Sequence, residues 1–200
     1  IETAPLPRVF GVFFNQNQQK LFANAAVRRA LNIITDRQRI INEVLHGYGT
    51  PLWGPLPSGA LGYQDLSDKQ TTANNDLRKK EAANILVKDG WKPNAKDGIL
   101  EKKTKKGMTR LAFSIATSDI VELKEAAELL KTMWEALGAQ VTVRVFEIGD
   151  LNQNIIRPRK YDALFFGEII GRDADPFAFW HSSQRLDPGL NIALYANIKT

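Results

Sequence analysis

The sequence contains no cysteine, and this absence excludes several kinds of chemistry at once. A chain without thiols has no disulfides, no thiolate nucleophile and no thiolate metal ligand. Histidine is scarce as well, since only His46 and His181 occur, far apart and without a partner at metal-ligand spacing. We therefore expect no metal site and no other cofactor.

Long apolar runs and catalytic motifs are also missing. No stretch of about 18 apolar residues occurs, so no membrane-spanning helix is predicted, and there is no charged-then-apolar leader. Neither a G-x-S-x-G nucleophile elbow nor a phosphate-cradling glycine loop is present. We predict that the chain is not an enzyme. Because it begins with Ile1 and not Met, we also expect it to be part of a longer protein.

Hydrophobic residues make up 44% of the 200 residues, which is enough for a sizeable core and predicts one domain. Apolar runs with strand character alternate with amphipathic helical patterns. Strands are predicted at 8–16, 111–116, 140–146 and 161–167. Helices are predicted after caps at Asn24 and Ser118, from a Thr35–Gln38 capping box, at 74–91 and at 150–156.

The second half of the chain predicts the fold class. Strand 111–116, a helix that stops at Gly138 and strand 140–146 have the spacing of a βαβ unit with parallel strands and a right-handed crossover. Before this unit, the segment 96–110 holds six basic residues between apolar flanks. We interpret it as a β-hairpin with lysines at its exposed turn. Together these patterns predict an α/β domain.

The net charge of +5 raises the alternative of nucleic-acid binding. The segment 27–49 could form a basic helix-turn-helix, because two short helices there contain Arg28, Arg29, Arg37 and Arg39. Against this, Asp36 and Glu43 would repel phosphates. Apolar side chains at helical spacing also predict that the pair packs onto a core, with its arginines facing solvent or pairing locally. We favour this scaffold and expect no nucleic-acid partner.

A long loop follows the helix pair. Residues 47–63 contain five glycines and three prolines, a composition that shapes the backbone and ends helices. A loop of this length inside a compact domain is usually functional. Trp53, within it, is either an apolar pocket wall or a packed loop anchor.

The order of the motifs is more specific than any one of them. An apolar strand ending at Asn15 precedes VRRALNIITDRQRIINEVLHGYGTPLWGPLP, and EAANILVKDGW and DADPFAFWHSS follow it. The matching positions are Asp36, Arg37, Gly47, Gly49, Pro51, Gly54, Pro55, Pro57, Asn191 and Tyr195. In this order and spacing, the motifs resemble family 5 extracellular solute-binding proteins, the peptide, dipeptide and nickel receptors of ABC importers.

The resemblance implies an architecture. Receptors of this family close two lobes around their ligand, and the chain is similar to the C-terminal lobe of this type II periplasmic-binding-protein-like fold. We therefore expect residues 1–200 to form a single α/β lobe, with a mixed sheet flanked by helices. The N-terminal lobe would lie outside this chain.

The resemblance also implies where a ligand binds. In an open α/β sheet, ligands bind at the carboxyl ends of the strands, and the loop after strand 161–167 supplies Glu168, Arg172, Asp173, Asp175 and Trp180. Family peptide receptors place an acid in this loop against the ligand's ammonium. Asp173 is the first candidate, while Asp175 before Pro176 could be a turn-former instead. The remaining candidates are Arg172, Trp180, Trp53 and Asn191, the last of which could also cap its own turn.

The partners follow from the same resemblance. We expect a peptide or another small solute as ligand, with a nickel complex, haem or an oligosaccharide as alternatives. The other expected partners are the membrane subunits of an ABC permease and the N-terminal lobe of the same receptor. The implied location is periplasmic or extracellular, with a lipid anchor on the full-length protein left open.

Overall fold

The computed structural model describes residues 8–57, 63–64, 74–105, 107–169 and 177–196. Seven strands occur in these ranges. They are β1 (Arg8–Phe14), β2 (Lys92–Pro93), β3 (Leu100–Thr104), β4 (Gly107–Arg110), β5 (Ala112–Ser118), β6 (Gln140–Phe146) and β7 (Ala163–Ile169).

Six α-helices lie between or beside the strands. They are α1 (Ala25–Ile34), α2 (Arg37–Glu43), α3 (Asn75–Lys88), α4 (Val121–Glu135), α5 (Ile148–Asp150) and α6 (Phe177–Trp180). A π-helix, Leu151–Ile156, continues α5, and short 3-10 helices cover Lys20–Ala23 and Ser182–Arg185. Among the described residues, none of the helices combines the length and the apolar character needed to cross a bilayer.

The main sheet has four strands in the order β1-β7-β5-β6. β5 runs parallel to both β6 and β7, whereas β1 is antiparallel to β7. The predicted βαβ unit is confirmed, because α4 connects the parallel strands β5 and β6. This is the mixed, helix-flanked α/β sheet expected from the sequence. It places the carboxyl ends of three parallel strands at one edge.

The larger core lies on one face of the sheet. α1 buries the predicted stripe of Val27, Ala30, Leu31 and Ile34, and α4 contributes Trp134, which is almost completely buried. The indole Nε1 of Trp134 donates to the carbonyl of Leu31 at 3.2 Å and to the hydroxyl of Thr35 at 3.0 Å. Because a buried indole N–H needs a partner, these bonds orient α1 against α4.

A smaller core lies on the opposite face. It is built from Phe13, Ala116, Leu151, Ile155, Tyr161, Leu164 and Ile192, with Phe166 and Trp180 packed against it. The π-helix and the segment after α6 cover this face. Strand alternation directs side chains to both cores, since successive residues of β7 point to opposite sides.

The lysine-rich hairpin belongs to a second sheet. β2, β3 and β4 form a three-stranded antiparallel sheet beside the main one. The predicted hairpin is present with β3 and β4 as its strands, but Lys102 and Lys103 lie within β3 and not at the turn. The two sheets meet where Leu100 N donates to Gly138 O at 2.8 Å. A Cβ at Gly138, which has a φ of 96°, would lie 2.9 Å from Leu100 Cγ, so only glycine fits there.

Two predicted helix caps were wrong by one or two residues. The N-cap of α2 is Asp36, whose carboxylate accepts from Arg39 N at 3.0 Å, and Thr35 instead ends α1 and donates its hydroxyl to Leu31 O. Ser118 remains in β5, and α4 begins after Ile120 without a side-chain cap. Asp36 is the cap in place of Thr35 because its carboxylate is stabilised by the positive end of the α2 dipole.

Candidate functional site

The carboxyl edge of the main sheet gathers the segments that follow β5, β6 and β7. Asp119 N donates to Phe146 O at 2.9 Å, which ties the exits of β5 and β6 together. Thr117 donates its hydroxyl to Phe165 O at 3.0 Å and so fixes β5 against β7. The edge is therefore a rigid platform, at the place where open α/β sheets bind ligands.

Exposed apolar side chains collect at this edge. They are Ile120 and Val121 after β5, Val145 and Ile148 at the end of β6 and just after it, and Ile169 at the end of β7. Single exposed apolar residues are normal, but a group on three adjacent strand ends indicates a contact surface. The rims of ligand clefts have this composition, with few polar groups.

Glu168 is the penultimate residue of β7 and is half-buried at this edge. Its backbone pairs with Val9 of β1. Within the described part of the chain it has no hydrogen-bond or ion-pair partner, and burial raises the pKa of its carboxyl to about 7. The group is therefore about half protonated at neutral pH.

Glu168 shares a face with an aromatic cluster. Strand alternation directs Leu164, Phe166 and Glu168 to the same side of the sheet, where the first two pack with Tyr161 and Trp180. The Tyr161 hydroxyl donates to Ile192 O, and burial raises the tyrosine pKa well above its ordinary value. Among the described residues, the carboxylate therefore shares its face of the sheet with aromatic side chains.

The structure locates three of the six candidate site residues. Arg172, Asp173 and Asp175 lie outside the described residues, so their ligand contacts remain predictions. Trp180 is half-buried and packs against the smaller core next to the face of Glu168. Its position is compatible with a wall beneath the edge.

Asn191 is fully buried, and its amide is already engaged. Its Nδ2 donates to the carbonyls of Trp180, His181 and Tyr195 at 3.0–3.2 Å, and its Oδ1 accepts from Tyr195 N. These bonds fold the segment after α6 into a turn. These contacts support the alternative in which Asn191 caps its own turn. A contact of Asn191 with a ligand remains a prediction.

Trp53 packs on the guanidinium of Arg37, 4.5 Å from ring centroid to Cζ. The same guanidinium donates to Asn32 Oδ1 at 2.6 Å, and its burial lowers the Arg37 pKa. The glycine- and proline-rich loop is thereby anchored on α2. Contact of Trp53 with a ligand remains a prediction.

Three of the four arginines of 27–49 are engaged within the chain. Arg39 pairs with Glu43 at 2.8 Å, and Arg28 donates to Phe22 O. Arg37 is covered by Trp53, so it is not solvated in the way expected for a surface arginine. These contacts agree with the scaffold interpretation of the helix pair. Within the described ranges no group of three metal-ligating side chains occurs.

Glu168 is in the loop region predicted from the sequence but is not one of the six candidate residues. Its signal was a single charge at the end of the apolar strand ALFFG. Desolvation of this carboxyl depends on packing from residues far away in sequence, which no local pattern shows.

The comparisons with known proteins agree with this geometry. The sequence model named "Bacterial extracellular solute-binding proteins, family 5 Middle" matches residues 1–187. The chain belongs to this family. The resemblance stated from the motifs is thereby confirmed.

Two curated relatives are similar to the chain. The oligopeptide-binding protein AppA of Bacillus subtilis (strain 168) is 28% identical over 189 residues, which is 93% of this chain and 33% of AppA. Protein XP55 of Streptomyces lividans is 30% identical over 175 residues, which is 86% of this chain and 30% of XP55. The chain therefore spans about a third of the length of these relatives.

Solved structures confirm the fold. AppA from B. subtilis in complex with a nonapeptide matches with a TM-score of 0.82 and 26% identity, covering 96% of this chain and 37% of that one. NikZ from Campylobacter jejuni in complex with Ni(L-His) matches with a TM-score of 0.75 and 23% identity, covering 97% and 37%. Both proteins share the α/β architecture described above.

Proposed function

We propose that this chain is the C-terminal ligand-binding lobe of an ABC importer receptor, and that its ligand is a peptide. The observation that supports this most is the group of exposed apolar side chains where β5, β6 and β7 end, in a chain of family 5. The ligand lies between this edge and an N-terminal lobe supplied by the rest of the protein. The chain binds without catalysis, outside the cytoplasm, and delivers its ligand to the permease.

Closure of the two lobes follows from differential affinity. A ligand that contacts both lobes only in the closed form shifts an open–closed equilibrium towards closure. One lobe alone makes only part of these contacts. We therefore expect the full-length receptor to bind tightly and this chain alone to bind weakly or undetectably.

Identification of the ligand tests the peptide assignment. The full-length receptor would be purified without refolding, and its co-purifying ligands released and identified by mass spectrometry. Peptides of about two to nine residues are the expected result. A nickel–histidine complex, a haem or an oligosaccharide would contradict the peptide assignment, and salt-sensitive retention of duplex DNA in filter binding would contradict the receptor role.

The apolar edge has a matched control in the same chain. Ile169 at the edge and Val87 on α3 are each 65% exposed. In the full-length receptor, Ile169→Asp should weaken titrated binding of the identified peptide about tenfold or more, while Val87→Asp should leave it within about twofold. Equal effects of the two variants would remove the edge from the site.

The lobe account and Asp173 have their own tests. Nanomolar peptide binding by the isolated chain in calorimetric titration would contradict the two-lobe account.

We propose that Asp173 pairs with the ligand ammonium, so Asp173→Ala in the full-length receptor should abolish most of the peptide-induced thermal shift. An unchanged shift would exclude Asp173.

A further inference from the structure

We propose that Glu168 determines specificity by selecting ligands that have a cationic side chain, an inference that rests on the proposed function. The role is distinct from that of Asp173, which is assigned to the ligand's terminal ammonium. Glu168 belongs to a strand and not to a loop, so its position is set by the sheet.

The position of Glu168 suits direct contact with a ligand. Its backbone is held by pairing with Val9, one residue before β7 ends. The next residue, Ile169, is part of the exposed apolar group at the carboxyl edge. The Glu168 side chain lies on the aromatic face of the sheet, and its backbone adjoins the surface proposed to hold the ligand.

The described residues provide no counter-charge for the Glu168 carboxylate. Glu168 is half-buried beside aromatic side chains and has no ion-pair partner among the described residues. Desolvation is the cause that raises its pKa to about 7. A carboxylate removed from water gains strongly from an ammonium or guanidinium at hydrogen-bond distance, because the same desolvation strengthens their attraction.

The other titratable groups on the surrounding elements either have partners elsewhere or are exposed. They are Arg8, Asp119, Arg144, Arg159, Tyr161 and His181. Arg8 lies over the ring of Phe10, whose strand position faces the other side of the sheet from Glu168. Arg159 donates to three backbone carbonyls.

Of the remaining groups, two have contacts of their own and one is exposed. Arg144 lies over the ring of Phe146, and Asp119 is exposed after β5. His181 accepts from Ser183 N and stacks on Phe177. Arg172, Asp173 and Asp175 follow along the chain, outside the described residues.

A ligand cation changes the protonation of Glu168. The cation favours the ionised carboxyl, so binding below pH 7 requires loss of a proton. The ionised fraction rises from about 0.1 at pH 6 to about 0.9 at pH 8 for a pKa near 7. The preference for a cationic ligand should therefore increase about tenfold over this range.

The test uses the full-length receptor and two series of pentaalanine peptides. One series has a single lysine at each position in turn, and the other has norleucine, which has a similar shape without the charge. Calorimetric titration at pH 8 and pH 6 gives the ratio of affinities at each position. The ratio cancels the titration of the peptide's own amino terminus.

We expect lysine to bind about tenfold or more tightly than norleucine at one position at pH 8, with about a tenfold smaller ratio at pH 6. Glu168→Gln should reduce the ratio at pH 8 to within about twofold of unity and remove its pH dependence. Asp119→Asn is the matched control, since it removes an exposed carboxylate from the same edge, and it should keep the preference.

Any of four outcomes would overturn the inference. Equal binding of lysine and norleucine peptides by the wild-type receptor, or a preference that survives in Glu168→Gln, would do so while leaving the proposed peptide receptor intact. A third is that Nα-acetylation of pentaalanine removes the part of the binding free energy that depends on Glu168. In that case Glu168 contacts the terminal ammonium of the peptide and not a cationic side chain. Failure of every peptide to bind would overturn both proposals.

Discussion

The Asn15 side chain donates a 2.8 Å hydrogen bond to the backbone carbonyl of Arg159, 144 residues later in the chain. Its Oδ1 accepts from the backbone N–H groups of Asn17 and Gln18 at 3.1 and 3.0 Å. One buried amide therefore shapes the turn after β1 and fixes it to the residues before β7. This connection supports the sheet at the end opposite the candidate site.

Asn15→Ala should destabilise the chain by about 3 kcal/mol, because three hydrogen bonds are lost and a buried carbonyl is left without its donor. Urea unfolding of the 200-residue chain measures the change. Asn152→Ala, at an exposed asparagine, is the control and should change stability by less than about 0.5 kcal/mol. Equal stability of the two variants would contradict the role of Asn15.

The Arg159 side chain also fixes the segment after α6. Its guanidinium donates to Ile156 O at 2.7 Å, to Arg185 O at 3.2 Å and to Gly189 O at 2.6 Å. Lysine cannot make this fork of bonds from a single ammonium. Arg159→Lys should therefore raise the rate of limited proteolysis within 182–192 roughly tenfold, with a smaller loss of global stability.

The control for Arg159 is its neighbour Arg157. Arg157 is exposed and lies 3.9 Å from an Asp187 carboxylate oxygen, a surface contact of little energetic weight. Arg157→Lys should leave the cleavage rate within about twofold of wild type. Cleavage at equal rates in both variants would show that the fork does not hold this segment.

Tyr161 links the smaller core to the same segment. Its buried hydroxyl donates to Ile192 O, and removal of that donor leaves a buried carbonyl unsatisfied. Tyr161→Phe, which preserves the ring, should cost about 1 to 2 kcal/mol in chemical denaturation. Tyr48→Phe, at a side chain that is 76% exposed, should be neutral within about 0.5 kcal/mol, and a similar loss there would contradict the explanation.

Local patterns predicted the parts of the fold that local forces determine. The β5–α4–β6 unit, the Asn24 cap and the end of α4 before Gly138 follow from periodicity and backbone preference over a few residues. The choice of Asp36 over Thr35 as the α2 cap was not predictable. The two residues are adjacent, and Trp134 from α4 engages the threonine hydroxyl.

The candidate site was predicted by location more than by residue. The rule that ligands bind at strand carboxyl ends predicts this edge as the candidate site. Glu168 has no ion-pair partner among the described residues, and this depends, like the exposure of the apolar group, on which side chains other elements cover. Those relationships arise only when β1, β7 and the segment after α6 are assembled, so no stretch of sequence contains them.

Glu168 also predicts how stability depends on pH. Its folded-state pKa is raised to about 7 by burial, above the usual value of about 4.3 in an unfolded chain. Its contribution to stability is therefore fully present below about pH 4.3 and is lost as pH rises through 7. Glu168→Gln removes this ionisation, so its free energy of unfolding should rise above that of wild type as the pH increases. The difference should reach on the order of 1 to 2 kcal/mol at pH 8. This figure is reduced from the full linkage value because the carboxyl is partly exposed.

Urea unfolding of both proteins at pH 4.5, 6 and 8 measures that difference. Glu168→Gln and wild type should be within about 0.5 kcal/mol of each other at pH 4.5, and the variant should be the more stable at pH 8. Asp119→Asn controls for loss of one negative charge at the same edge. A constant difference between Glu168→Gln and wild type across the three pH values would show that the carboxyl ionises without a folding penalty, and so is not desolvated.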